Sequence, residues 1–409
     1  MYHHSDKNIG FVISPSLPQK TSSMPWNTEL TRRLGIRVPV VQGGMMYVGY
    51  AELASAVSNA GGLGIITALI FPTPADLRKE IQKCRKLTKN PFGVNITLLP
   101  SLNPPDYGAY AQAIIDEGIN IVETAGNSPG PVIRKLKEAG CIVLHKCTTI
   151  RHAQSAVKLG VDFLSIDGFE CAGPRAGPCL HCTLQVPSGR SACGLPHAHT
   201  SPRALAFLFC LVFFFSLPSE YRNGHDTSHV GESDITNFIL LSRARQSLKV
   251  PFIASGGFAD GQGLAAALCL GASGINMGTR FMCTVEAPIH ENIKKEIVKA
   301  SETDTALVLR RWTNTTRLYK NKVTEEALKV ERESKTGEFA EIAPFVSGQR
   351  GRQVFINGDP DYGVWTAGQV IGLIHDIPTC KDLVERISVE AEGSLKEKLE
   401  LVSPTPSKL

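Results

Sequence analysis

Eight short apolar runs, closed by small or polar residues and mostly followed by a stretch of helical periodicity, constrain this chain more than any other feature. They lie at 39–44, 62–68, 92–98, 121–126, 142–147, 163–168, 252–257 and 274–279. Each is nearly all apolar, as a strand of a parallel sheet covered on both faces must be. The segments between them carry helical stripes: 50–59 places Leu53, Ala54 and Val57 on one face, and 72–84, 110–117, 131–138 and 150–159 read similarly. Eight alternations predict a (β/α)8 barrel, an α/β TIM fold. A doubly wound open sheet seldom needs eight consecutive parallel strands, and it sets its glycine-rich turn after the first strand.

The alternation ends near residue 286. Helical, more charged text follows, with helices expected at 289–301, 324–334, 365–375 and 379–401. The expected organisation is a polar lead-in over 1–24, a barrel over 25–285 and a smaller, mainly helical second lobe over 286–409. Apolar residues at 43% and charged residues at 20% exclude a disordered chain. A formal charge of +5, from 43 basic and 38 acidic residues, is too slight over 409 residues to imply nucleic acid or a lipid surface. Small-molecule partners are expected, with no nucleic acid and no membrane. The 11 cysteines show no repeated spacing, and the polar opening lacks a charged-then-apolar leader, so reduced thiols and a cytoplasmic location are expected.

One stretch breaks the pattern. Between the sixth and seventh runs, 174–228 is far longer than a crossover needs, and no Asp or Glu occurs from 171 to 219. Cys179, Cys182, Cys193 and His197 or His199 could be read as zinc ligands, but the second half lacks a helix to space them. The apolar run 205–217 is too short to span a bilayer, which takes about 20 residues. The plainest reading is translated non-coding sequence, such as a retained intron, and no metal is expected.

A barrel does its chemistry at the C-terminal ends of its strands. There the first run ends in Gln42-Gly-Gly-Met-Met46, the third carries Asn95 and Thr97, the fourth Glu123, the fifth Lys146, the sixth Asp167, the seventh Ser255-Gly-Gly257 and the eighth Gly278-Thr279. Glycines after the last two runs expose backbone N–H groups where barrels commonly hold a phosphate. Lys146 closes an apolar run, where an ammonium needs an anionic partner: a phosphate, a reduced ring, a substrate, or Asp167 or Glu123.

These motifs, with Phe92-Gly-Val-Asn-Ile-Thr-Leu-Leu-Pro100, Val122-Glu-Thr-Ala-Gly-Asn127, His145-Lys-Cys147, Ser165-Ile-Asp-Gly-Phe-Glu-Cys-Ala-Gly173, Ala254-Ser-Gly-Gly-Phe-Ala-Asp-Gly261, Ile275-Asn-Met-Gly-Thr-Arg-Phe281 and Ser347-Gly-Gln-Arg-Gly351, resemble the nitronate monooxygenases, formerly 2-nitropropane dioxygenases. The chain is especially similar to their branch of FMN-dependent NAD(P)H:quinone reductases. The resemblance implies a TIM barrel with a second lobe and one non-covalent FMN held by Gly44, Met45, Met46, Thr97, Lys146, Asp167, Ala172, Gly173, Ser255, Gly256, Gly257, Gly278 and Thr279. It also implies a catalytic histidine directly after Glu-Cys-Ala-Gly. Here Gly173 meets Pro174, and the expected continuation resumes only at His229-Val-Gly-Glu232, so His229 is the catalytic candidate once 174–228 is set aside. The implied reaction is oxidation of alkyl nitronates with O2, His229 positioning or deprotonating the substrate and Lys146 stabilising negative charge on the flavin. One alternative is NAD(P)H-driven reduction of a quinone; another is an inactive flavin-binding barrel in which the long stretch displaces His229.

Overall fold

The computed structural model describes residues 26–98, 104–126, 129–174, 234–312 and 314–402. All eight apolar runs are strands: β1 Val40–Gln42, β2 Gly64–Thr67, β3 Phe92–Leu98, β4 Ile121–Gly126, β5 Ile142–Cys147, β6 Phe163–Asp167 and, after a two-residue β7 at Gly173–Pro174 that lies outside this sheet, β8 Phe252–Ser255 and β9 Ile275–Met277. They form one parallel sheet in the order β1-β9-β8-β6-β5-β4-β3-β2. Leu63 closes the ring: its N–H donates to the Val40 carbonyl and its carbonyl accepts from Gln42, both at 2.9 Å. The fold is a TIM barrel.

Side chains alternate across a strand, so every second residue enters the barrel. The lower interior is apolar, with Val41, Ile65, Ile121, Leu144, Phe163 and Ile253 in one buried cluster. Helix Glu29–Leu34 plugs the bottom with Leu30 and Leu34. Two residues further along β2, β4, β5, β6 and β8 the interior turns polar, with Thr67, Glu123, Lys146, Ser165 and Ser255, and Asn95 of β3 and Asn276 of β9 join them. The outward residues, among them Val94, Val122, Val143 and Ile166, pack beneath the surrounding helices in the larger core. Several of those helices begin on side-chain caps: Thr73, Thr149 and Asp260 each accept a backbone N–H three residues on.

The helix after β9, Thr279–Met282, has only four residues. The gap it leaves is filled from the other end of the chain. Helix Cys380–Glu400 packs between helices Ala51–Ala60 and Gly261–Cys269. The approach is close enough that a Cβ on Gly261 would lie 2.3 Å from the Glu390 Cβ. The Trp26 indole N–H also donates to the Ser388 hydroxyl at 2.8 Å. The text beyond 286 thus shares its last helix with the barrel.

That region also contains strands absent from the helical reading. β10 Thr305–Val308 and β11 Thr316–Tyr319 pair antiparallel, and β7 adds to β11 through Gly173 and Pro174. Threonine and other β-favouring residues in 303–319 were the available signal. The helix expected at 365–375 is instead a bridge from Thr366 to Leu318 followed by a 3-10 turn, Gln369–Leu373. Glycine at 368 and 372 weakens a helix there, and Gly372 presses on the Glu302 backbone. Among the described residues no helix is long and apolar enough to cross a membrane.

Candidate active site

Above the polar interior, at the C-terminal ends of the strands, lies a cavity of about 950 Å³. All thirteen residues predicted to hold the cofactor line it. His229 lies outside the described residues, as do the cysteines and histidines of the zinc reading and the run 205–217. Among the described residues no group of three His, Cys, Asp or Glu could hold a metal ion.

One rim is built from β8 and β9. Gly256 and Gly257 both adopt left-handed backbone, with φ of 83° and 84°. A side chain at 256 would strike the Cys171 backbone N at 2.9 Å, so only glycine fits. Among the described residues, the N–H groups of Gly256, Gly257 and Gly278 have no backbone acceptor. Successive amides of this kind form an anion-binding concavity. The Thr279 hydroxyl accepts the Gly368 N–H at 3.0 Å, tying this rim to the 3-10 turn. Gly173, also at positive φ, pairs with Arg317 beside Ala172.

Two strands round the barrel from β8, Lys146 on β5 faces Asp167 on β6, with Nζ to Oδ2 at 3.9 Å. Burial opposes the lysine charge, but Asp167 and Glu123 outweigh it and hold the Lys146 pKa above its ordinary value. Burial pushes the Asp167 carboxyl up, against the pull of Lys146 and a hydrogen bond from Ser255. The Ser165 hydroxyl also reaches Asp167, at 3.4 Å. Thr97 donates to Asn95 Oδ1 at 2.9 Å. The β1 turn completes the mouth: the Met45 N–H donates to Thr67 Oγ1 at 2.8 Å, and Met46 stands 41% exposed at the entrance.

The structure gives contacts to residues that the sequence reading had placed at the strand ends or in motifs without assigning them to the cofactor shell. Glu123, fully buried, accepts from Gly44 N at 2.9 Å and Asn95 Nδ2 at 2.7 Å on one oxygen, and from Asn276 Nδ2 at 3.0 Å on the other. The signal was present: Asn95, Glu123, Ser165 and Asn276 each interrupt an otherwise apolar run. Past the predicted cofactor residues the cavity continues along helix Ile150–Lys158, beside Thr148, His152, Ser155 and Leu159, over His145. His145 Nδ1 bonds Thr124 Oγ1 at 2.8 Å, and burial lowers its pKa to about 4, so its imidazole is neutral. Arg350 of the Ser347–Gly351 motif is not part of the lining; its guanidinium braces the carbonyls of Tyr362 and Pro344.

A TIM barrel whose polar C-terminal mouth sets a rim of glycine amides in the same cavity as a buried cation is built as a barrel enzyme. Residues 27–186 and 222–390 match the nitronate monooxygenase family, and the chain belongs to that family of oxidoreductases. The match omits 187–221, inside the stretch set apart by its composition. The chain is 29% identical over 413 residues to (3aS,4S,5R,7aS)-5-hydroxy-7a-methyl-1-oxo-octahydro-1H-indene-4-carboxyl-CoA dehydrogenase of Mycobacterium tuberculosis, covering 93% of this chain and 100% of the relative. It is 26% identical over 320 residues to a probable nitronate monooxygenase of Staphylococcus haemolyticus, covering 69% and 75%. Among solved structures, FabK from Thermotoga maritima superposes with a TM-score of 0.72 at 28% identity, over 92% of this chain and 99% of that one. Nitroalkane oxidase from Streptomyces ansochromogenes, at 22% identity and a TM-score of 0.67 over 90% and 99%, shares the fold.

Proposed function

We propose that this chain is an FMN-dependent oxidoreductase that oxidises alkyl nitronates with O2. The observation that carries this reading is the pairing of two features in one cavity. The amides of Gly256, Gly257 and Gly278, without a backbone acceptor among the described residues, suit a phosphate, and the Lys146 cation, two strands from β8, suits the electron-rich end of a flavin. The left-handed glycines leave the space a phosphate needs, so the residues present fit FMN.

When bound, FMN supplies the redox chemistry. The chain supplies binding, charge and orientation. The amides after β8 and β9 would hold the FMN phosphate, and the turn from Gly44 to Met46 would line the same site. Lys146 offsets negative charge on the ring or on an anionic substrate, and Asp167 fixes where that cation sits. On the strength of its motif, His229 is assigned the proton-transfer or hydrogen-bonding role, which suits an imidazole whose unperturbed pKa is about 6.5.

A second reading, redox chemistry on an acyl-CoA thioester, rests on the mycobacterial CoA dehydrogenase, which this chain covers end to end, and on the cavity's extension beside Thr148 and His152. NAD(P)H:quinone reduction uses the same shell. The purified chain is expected to take up FMN and to consume O2 with propionate 3-nitronate. Turnover confined to NADH with benzoquinone, or flavin bleaching confined to an acyl-CoA, would reassign the substrate.

A further inference from the structure

The Gly43–Gly44 turn lies between two asparagines. A Cβ on Gly44 would fall 2.3 Å from Asn95 Cγ, and one on Gly43 would fall 2.5 Å from Asn276 Oδ1. Asn95 comes from β3 and Asn276 from β9, on opposite sides of the turn. Both asparagine amides donate to one carboxylate, that of Glu123, which also accepts the Gly44 N–H. The carboxylate is 0% exposed, and burying it is tolerable only because these donors replace its water. Glu123 also belongs to the polar layer that holds Lys146: Asn276 Nδ2, one of its donors, lies 3.2 Å from Ser165 Oγ, which in turn reaches Asp167.

We propose that Glu123 is a positioning residue. Its carboxylate clasps the β1 turn through Gly44, Asn95 and Asn276, so that the Gly44–Met46 backbone is preset as the floor of the cofactor site. The clasp joins β1, β3, β4 and β9, so it sets the shape of the mouth independently of any group bound there. Beside this geometry, the charge of Glu123 is one of the causes, after Asp167, that hold the Lys146 pKa above its ordinary value against burial.

The proposal rests on the FMN reading for its functional consequence but not for its structural one, and the test separates the two. In Glu123→Gln one oxygen becomes an amide that faces donors. Hydrogen exchange on the cofactor-free protein is expected to speed at least tenfold in the peptide spanning 43–46, while the 380–400 helix is unchanged. FMN titration followed by fluorescence quenching is expected to show about tenfold weaker binding, and acetylation of Lys146 by acetic anhydride to become faster. If Glu123→Gln does not fold, Asn95→Ala, which removes one donor and leaves the charge, is expected to speed exchange at 43–46 by a smaller factor without changing Lys146 acetylation. Exchange at 43–46 and Lys146 reactivity both at wild-type values in Glu123→Gln would overturn the proposal. A wild-type chain that binds no FMN, with the exchange difference intact, would sink the cofactor reading and leave the clasp standing.

Discussion

Lys146 and Asp167 stand on neighbouring strands with 3.9 Å between ammonium and carboxylate, too long for a direct hydrogen bond and short enough for each to set the other's charge. The spacing leaves the lysine donors free to turn toward the cavity, which suits a cation that serves a bound group.

Replacing Lys146 by Met should therefore separate stability from binding. It strands the Asp167 carboxylate, and losing one partner of a buried pair costs on the order of 3 kcal/mol. The double variant Lys146→Met with Asp167→Asn should recover most of that in urea unfolding, yet bind FMN at least tenfold more weakly than wild type. Wild-type affinity in the double variant would remove Lys146 from the cofactor site.

His145 gives the fold an acid limit. Its folded pKa of about 4 lies below the unfolded value near 6.5, so between those two values the unfolded chain takes up the proton more readily. Stability is full above about 6.5 and falls as the pH drops toward 4, by about 3 kcal/mol when complete. Burial lowers the His152 pKa as well, adding in the same direction. Urea midpoints measured from pH 7 to 4 should show this slope in wild type and a flatter one in His145→Gln; equal slopes would contradict it.

Gly261→Ala should loosen the last helix. Its Cβ would lie 2.3 Å from the Glu390 Cβ and 2.6 Å from the Ile387 carbonyl, so the two helices must separate. Overpacking of this kind costs about 1–3 kcal/mol. Thermal unfolding and the fluorescence of Trp26, whose indole is bonded to Ser388, should report the change together.

Deleting 174–228 brings Gly173 directly to His229. The flanks are already held: the Phe169 N–H donates to the Ile235 carbonyl at 2.9 Å, and the Asn237 N–H to the Glu170 carboxylate. The shortened protein should fold with an equal or higher Tm and bind FMN. If it is fully folded and colourless with added FMN while the full chain is yellow, the stretch belongs to the site.

The eight strands were legible because each is buried on both faces, which leaves an unbroken apolar run with a polar or glycine end. The cavity lining followed, since the rim of a barrel is fixed by where its strands stop. Glu123 was visible as a rim carboxylate, but its partners come from β1, β3 and β9, and no local pattern shows which donors will converge on one acid. β10 and β11 were lost within a region of helical text, where four-residue strands give little periodicity. The packing of helix Cys380–Glu400 was hidden for another reason: its own stripe shows a helix with an apolar face, while the gap it fills is created by the shortness of Thr279–Met282 about a hundred residues earlier.

That arrangement has a bearing on biosynthesis. The nascent chain can lay down all eight strands and still lack the stave that seals the seam, because helix Cys380–Glu400 lies about a hundred residues beyond β9. Emergence of that helix, rather than of β9, should then be the moment at which the ring becomes protease-resistant, and a stop codon before residue 380 would leave a cylinder with an open flank.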